Sequence, residues 1–135
     1  MRYFFFELLA CPVCKSPDLV LVEFKVEESK ANVDPAKVKC RETCYFLRKP
    51  SREVPLEVCS RCVDKEVVEG VLVCRSCGRW YPIIDGIPRM LDDRFRKFKN
   101  DVEWITPRLG MVPQEVRALM RIPEISTQAP RGGQA

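Results

Sequence analysis

Eight cysteines fall in four close pairs, Cys11/Cys14, Cys40/Cys44, Cys59/Cys62 and Cys74/Cys77, and the chain has no histidine. This limits what it can fold into more than any other feature. A disulfide framework seldom gives every cysteine a neighbour three or four residues away. Metal knuckles do so routinely, because two thiolates from one turn reach the same ion. Four thiolates at about 2.3 Å suit zinc in a closed tetrahedral site, with no position left for water or substrate. Iron takes the same geometry, so the motif speaks for a metal more strongly than for its identity. Eight ligands make two such sites, and the pairs can combine in three ways: nested, sequential or interleaved. Nesting joins Cys11/Cys14 to Cys74/Cys77 and Cys40/Cys44 to Cys59/Cys62. It is favoured because the inner Cys-x3-Cys-x14-Cys-x2-Cys is close to a self-contained ribbon spacing. A dithiol redox pair would need a helix N-terminus behind its motif, and none is legible.

The pattern around the pairs reads as short antiparallel strands. Val71 to Val73 delivers the chain to Cys74-Arg-Ser-Cys77, and Gly78 follows where a tight turn needs positive φ. Trp80 to Ile84 is a second apolar segment, Asp85-Gly86 a turn, and Ile87 to Leu91 a last extended one. Met1 to Ala10 reads as an edge strand or short packed segment. Leu19 to Glu27 reads as a strand that becomes half-buried, with Val22, Phe24 and Val26 on one face. A loop over 28–38 precedes a knuckle at Cys40 and Cys44, a strand at Tyr45-Phe46-Leu47, and a further knuckle at Cys59-Ser60-Arg61-Cys62. Beyond Leu91, Asp92 or Asp93 caps a helix with Phe95, Phe98, Val102 and Ile105 near one face, which Pro107 ends. Pro113 opens another over 114–121, with Val116, Leu119 and Met120 as its stripe. The expected fold is a small α+β zinc-ribbon protein: short antiparallel strands around four-cysteine zinc knuckles, with one or two C-terminal helices. Its parts are an outer zinc-ribbon lobe (1–27 and 63–91), an inserted second four-cysteine lobe (28–62), a helical extension (92–121) and a mobile tail (122–135).

At 135 residues with 11 prolines, the core is small enough to need metals, disulfides or a partner. A net charge of +4 falls short of a dedicated nucleic-acid binder. No apolar run approaches the ~18 residues that span a bilayer, and Tyr3 to Ala10, broken by Glu7, is no signal peptide. The expectation is a cytoplasmic protein. Its abundance of Glu, Lys, Arg and Val is a thermophile's balance, and thermophiles can carry intracellular disulfides.

Two blocks resemble a known family. Leu8-Leu9-Ala10-Cys11-Pro12-Val13-Cys14-Lys15 and the stretch from Glu69-Gly70 through Pro88-Arg89-Met90-Leu91 are similar to the multifunctional methyltransferase subunit family, covering about a quarter of the chain. The resemblance implies a non-catalytic zinc-ribbon subunit. Such a subunit binds, stabilises and activates S-adenosylmethionine-dependent methyltransferases acting on tRNA, rRNA or a translation release factor. The chain departs from the family in its inner cysteines, Cys40, Cys44, Cys59 and Cys62, and in about forty residues beyond Met90-Leu91.

On this reading the partner surface comprises Trp80, Ile83, Ile84, Ile87, Pro88, Met90 and Leu91, an apolar strand edge that adds to the partner's sheet. From spacing alone these residues fit core packing equally well; the resemblance favours docking. The alternative is a zinc-ribbon nucleic-acid binder of the translation or transcription machinery. It would use Arg41, Arg48, Lys49, Arg52, Arg61, Arg75 and Arg79, with Tyr45, Phe46 and Trp80 for stacking. RNA contact through the partner is compatible with both. Catalysis is not expected, since there is no histidine, no open metal position and no Gly-rich phosphate loop, and Asp64 and Asp85 are lone carboxylates. The extension's Phe95, Phe98, Val102, Trp104 and Ile105 are expected to cover the chain's own sheet.

Overall fold

The unbroken apolar runs Leu19-Val-Leu-Val and Val71-Leu-Val allow strands buried on both faces, and that is how they are used. The computed structural model describes residues 1–122. Strand β1 (Leu19–Glu28) pairs antiparallel with β4 (Lys65–Cys74), from Leu19 opposite Cys74 to Glu28 opposite Lys65. Next come β5 (Trp80–Ile84) and β6 (Ile87–Pro88), giving a four-stranded sheet of order β1-β4-β5-β6. The β5–β6 turn is built by Asp85 (φ 53°) and Gly86 (φ 77°), the double positive-φ geometry that an Asp-Gly pair supplies. A separate hairpin, β2 (Thr43–Cys44) with β3 (Lys49–Pro50), belongs to the segment between β1 and β4.

The alternation of side chains divides the core in two. Leu19, Leu21, Val67, Leu72, Tyr81 and Ile83 share one side with Tyr3 and Phe6. Val20, Val22, Val71, Val73 and Trp80 share the other, which the C-terminal extension covers with Val102, Ile105, Val112, Val116 and Met120. Each such side chain fully removed from water contributes about 1.5–3 kcal/mol. The extension contains α2 (Phe98–Ile105) and α3 (Gln114–Arg117), joined by a 3-10 segment at Thr106–Met111. Phe98 and Trp104 pack against this cluster, so the expected self-covering holds for four of the five residues named. Phe95 is the exception, at 65% exposed.

Several expectations need correction. Of the two readings of Met1 to Ala10, the edge strand falls and the short packed segment stands: Tyr3–Leu8 is a 3-10 helix with Tyr3 and Phe6 buried, and Arg2 alone bridges to Glu66. Tyr45 to Arg48 forms a turn where a strand was expected, because Tyr45 and Phe46 point into the core beside Phe6 and Tyr3. Cys59 and Cys62 lie on α1 (Leu56–Cys62), not in a turn, with Pro55 as its N-cap. Val26 is exposed where the β1–β4 register shifts. Asp92 caps only a 3-10 turn, Asp93–Phe95. The chain is extended at Arg96 (φ −88°, ψ 129°) because this side chain turns inward. Its guanidinium stacks 4.8 Å from the Trp80 ring and 5.0 Å from those of Tyr81 and Phe98, pairs with Asp101 at 2.6 Å and donates to the Trp80 carbonyl. The mobile tail expected over 122–135 lies, from Pro123 onward, outside the described residues.

Candidate metal centre

Two turns of the same construction bring the outer cysteines together. The Cys11 carbonyl accepts the Lys15 N–H at 2.8 Å, and the Cys74 carbonyl accepts the Gly78 N–H at 2.8 Å. Lys15 and Gly78 both lie in the left-handed region, at φ 69° and 80°. Gly78 also leaves room for the extension, since a Cβ there would meet the Leu119 carbonyl at 2.7 Å. Because Leu19 pairs with Cys74, the start of β1 carries its preceding knuckle up to the end of β4. The Sγ atoms of Cys11 and Cys77 lie 3.7 Å apart and those of Cys14 and Cys74 3.5 Å apart, and all four fall within 4.8 Å of one another. A tetrahedron with bonds of about 2.3 Å has edges of roughly 3.8 Å. The donor set fits a single metal ion with no open position.

The surroundings act differently on the thiols of Cys11, Cys77 and Cys74. Burial would push the Cys11 thiol up, but the N–H groups of Cys14 and Val13 and the Tyr81 hydroxyl, 3.1 Å away, hold it at about 6. Cys77 is also held low; burial opposes this, and the Arg79 backbone and side chain outweigh it. Cys74 is pushed up to about 12 by burial and by sharing a proton with Cys14. Tyr81 itself is raised by burial and by its bond to Cys11, so it stays a hydroxyl that donates to the cluster. Arg79 is held in place by Asp93, with bonds of 2.8–3.1 Å. The extension closes over this knuckle: Arg121 N–H donates to the Gly78 carbonyl at 2.9 Å, and Trp80 Nε1 to the Arg121 carbonyl at 3.2 Å.

Among the described residues, the outer four are the one group of three or more such ligands gathered this tightly. Cys40, Cys44, Cys59 and Cys62 line a single small cavity with Val54, Val58 and Val63. Burial and the neighbouring thiols push Cys62 up to about 12, and burial, Glu7 and the neighbouring thiols push Cys40 up to about 11.

The partner surface is altered. Trp80 and Ile83 are wholly buried within this chain and cannot meet a partner; Trp80 is roofed by the extension. Ile84, Pro88 and Met90 are half-buried, while Ile87 (63%) and Leu91 (45%) are exposed beside the free edge strand β6. Phe95, expected on a helix's inner face, is exposed as well. Three of the seven basic residues are paired with carboxylates. Arg48 pairs with Glu23, Arg75 with Asp18 at 3.3 Å, and Arg79 with Asp93. Tyr45 and Phe46 pack into the core and Trp80 is buried, so these three rings form no stacking platform.

An antiparallel sheet with two knuckles converging at one end defines the class: a small α+β protein of zinc-ribbon type. Residues 2–86, well over half of the chain, match the family described as Trm112p-like protein, and the chain belongs to that family. It is 52% identical over 29 residues to the multifunctional methyltransferase subunit trm112 of Schizosaccharomyces pombe (strain 972 / ATCC 24843). That match covers 22% of this chain and 23% of the relative's length. Among solved structures, a chain from the E. cuniculi Mtq2–Trm112 complex, described as responsible for methylation of the translation termination factor eRF1, aligns with a TM-score of 0.49. The identity is 23%, over 68% of this chain and 96% of that one. No helix among the described residues is long and apolar enough to cross a membrane.

Proposed function

We propose that this chain is a non-catalytic, zinc-binding partner subunit that binds, stabilises and activates an S-adenosylmethionine-dependent methyltransferase acting on tRNA, rRNA or a translation factor. The partner class comes from the name carried by the S. pombe relative, together with membership of its family. The observation that carries the reading is the free edge of the sheet at β6, which carries the exposed Ile87 and is followed by the exposed Leu91. Arg89 N–H bonds inward to the Pro82 carbonyl at 2.8 Å. Alternation therefore turns the backbone of Pro88 and Met90 outward. Pro88 has no N–H to offer, which blunts the edge against indiscriminate pairing while leaving Met90 as a donor. An added strand would take its main-chain bonds there and set apolar side chains against Ile87 and Leu91.

Zinc is the metal we assign to Cys11, Cys14, Cys74 and Cys77. With every position filled by thiolate, its part is to hold the ribbon closed, not to activate water. Any RNA contact runs through the partner, since Arg48, Arg75 and Arg79 are engaged with carboxylates. We place the complex in the cytoplasm. Pull-down of the tagged full-length chain from its native cell tests the proposal: a methyltransferase co-purifies, and its methyl transfer from S-adenosylmethionine rises when the purified chain is added back. Recovery of the chain free of any methyltransferase would sink it.

A further inference from the structure

The turn at Cys44 is a third copy of the outer knuckles. The Cys44 carbonyl accepts the Arg48 N–H at 2.7 Å, as Cys11 does from Lys15 and Cys74 from Gly78, both at 2.8 Å. Arg48 sits at φ 60°, in the same left-handed region. The Cys44 Sγ accepts the Leu47 N–H at 3.4 Å, the position from which Cys14 and Cys77 donate to the first sulfur of their knuckles. Leu47 occupies the place of a second ligand, so the second thiol comes from upstream, at Cys40.

The described residues hold three non-glycine positive-φ positions, Lys15, Arg48 and Asp85. Asp85 belongs to the β5–β6 hairpin turn; Lys15 and Arg48 each occupy the fifth place of a cysteine turn, the second of which also joins β2 to β3. A non-glycine residue held in the left-handed region at this place is what the Cys44 turn shares with the Cys11 knuckle. Opposite the turn, Cys59 and Cys62 stand three residues apart on α1, hence on one face.

The four thiols line one cavity of about 10 Å³, otherwise walled mainly by valines and Phe4, which is room for about one atom-sized occupant. Cys44 and Cys62 are buried while Cys40 and Cys59 are half-exposed, so the cavity has an approach from solvent. Lys39 is fixed at the rim, its ammonium donating to the carbonyls of Ser51 (3.1 Å) and Val54 (3.0 Å). It offsets part of the negative charge that four thiolates carry around a divalent ion.

We infer that Cys40, Cys44, Cys59 and Cys62 form a second tetrathiolate site for a divalent ion of the zinc class, built from one knuckle turn and one helix face. Binding displaces up to four protons from the thiols and draws the sulfurs onto the ion at the centre of the cavity. The site is distinct from the outer centre and does not depend on the methyltransferase reading, because the free chain's metal content is measured without a partner.

The test uses the full-length chain purified anaerobically with zinc, and the double variant Cys59→Ser/Cys62→Ser. About two zinc ions per wild-type chain and about one in the variant are expected by elemental analysis. Cobalt titration of the zinc-free wild type should raise the thiolate-to-cobalt absorption up to about two equivalents. If the variant does not fold, the wild-type titration alone decides. A break at one equivalent, an unchanged metal content in the variant, or intact-mass evidence of inner disulfides in the anaerobic protein overturns the site.

Discussion

Glu7 shows how much one carboxylate can organise. It projects from the 3-10 helix Tyr3–Leu8 and accepts the backbone N–H groups of Arg41 (2.7 Å), Glu42 (2.9 Å) and Thr43 (3.1 Å). The loop directly after Cys40 is thereby tied to the outer lobe. Burial alone would raise the carboxyl, but those three donors hold it below the usual carboxylate range. A depressed folded pKa means that this stabilisation is fully present above the unfolded value near 4.3 and is lost as pH falls through the folded value. Glu7→Gln should therefore cost roughly 1–2 kcal/mol at pH 7, allowing for solvent screening. In urea denaturation the gap between the two proteins should narrow as pH falls below the unfolded value. Acid also releases metal from both, so the difference between the curves is the readout; a gap that does not change with pH contradicts the assignment. In the sequence Glu7 is legible only as an interruption of an apolar run, because its partners lie 34 to 36 residues away. The outer cysteines were legible for the opposite reason, since each knuckle is local and its glycine or turn signal travels with it.

At the scale of elements, spacing proved degenerate. A Cys-x-x-Cys puts two thiols on one side whether it bends as a knuckle or winds as a helix, so Cys59 and Cys62 gave no sign that α1 would carry them. Similarly, Tyr45-Phe46-Leu47 is apolar enough for a strand, yet its rings are committed to the core at a turn. The sheet was legible because β1, β4 and β5 combine apolar runs with an Asp-Gly turn of required geometry. Strand β6 is the element on which function is proposed to rest, and it can be probed without disturbing the fold. Ile87 is 63% exposed, so Ile87→Asp should change the free chain's stability by no more than about 0.5 kcal/mol. If the strand edge is the docking site, the same change should weaken recovery of the methyltransferase at least about tenfold, a loss of about 1.4 kcal/mol. Undiminished recovery with the variant would move the docking surface elsewhere on the chain.

At the scale of the molecule, the sheet has two apolar faces and only one is covered by the region that matches the family, which ends at residue 86. The second face, Val20, Val22, Val71, Val73 and Trp80, depends on the extension beyond Leu91. That dependence was foreseeable only in part. The stripe of Val102 and Ile105 was legible, but the inward Arg96 and the bond from Trp80 to the Arg121 carbonyl required the folded geometry. Ending the chain after Leu91 should therefore leave the four outer cysteines in place while exposing that face to water. Trp80 would then be the sole tryptophan, since Trp104 leaves with the extension. Its emission should shift to the red, binding of a hydrophobic dye should rise, and the unfolding free energy should fall by roughly 3–5 kcal/mol, a net figure after the ordering entropy of the extension offsets much of the burial. Zinc content at the outer centre should persist, because the two knuckles meet through the pairing of β1 with β4, which the truncation does not touch. A truncated chain with buried Trp80 emission and unchanged stability would mean that the face closes without the extension. Loss of the outer zinc would mean instead that the contacts of Arg121 with Gly78 and Cys77 hold the knuckle itself together.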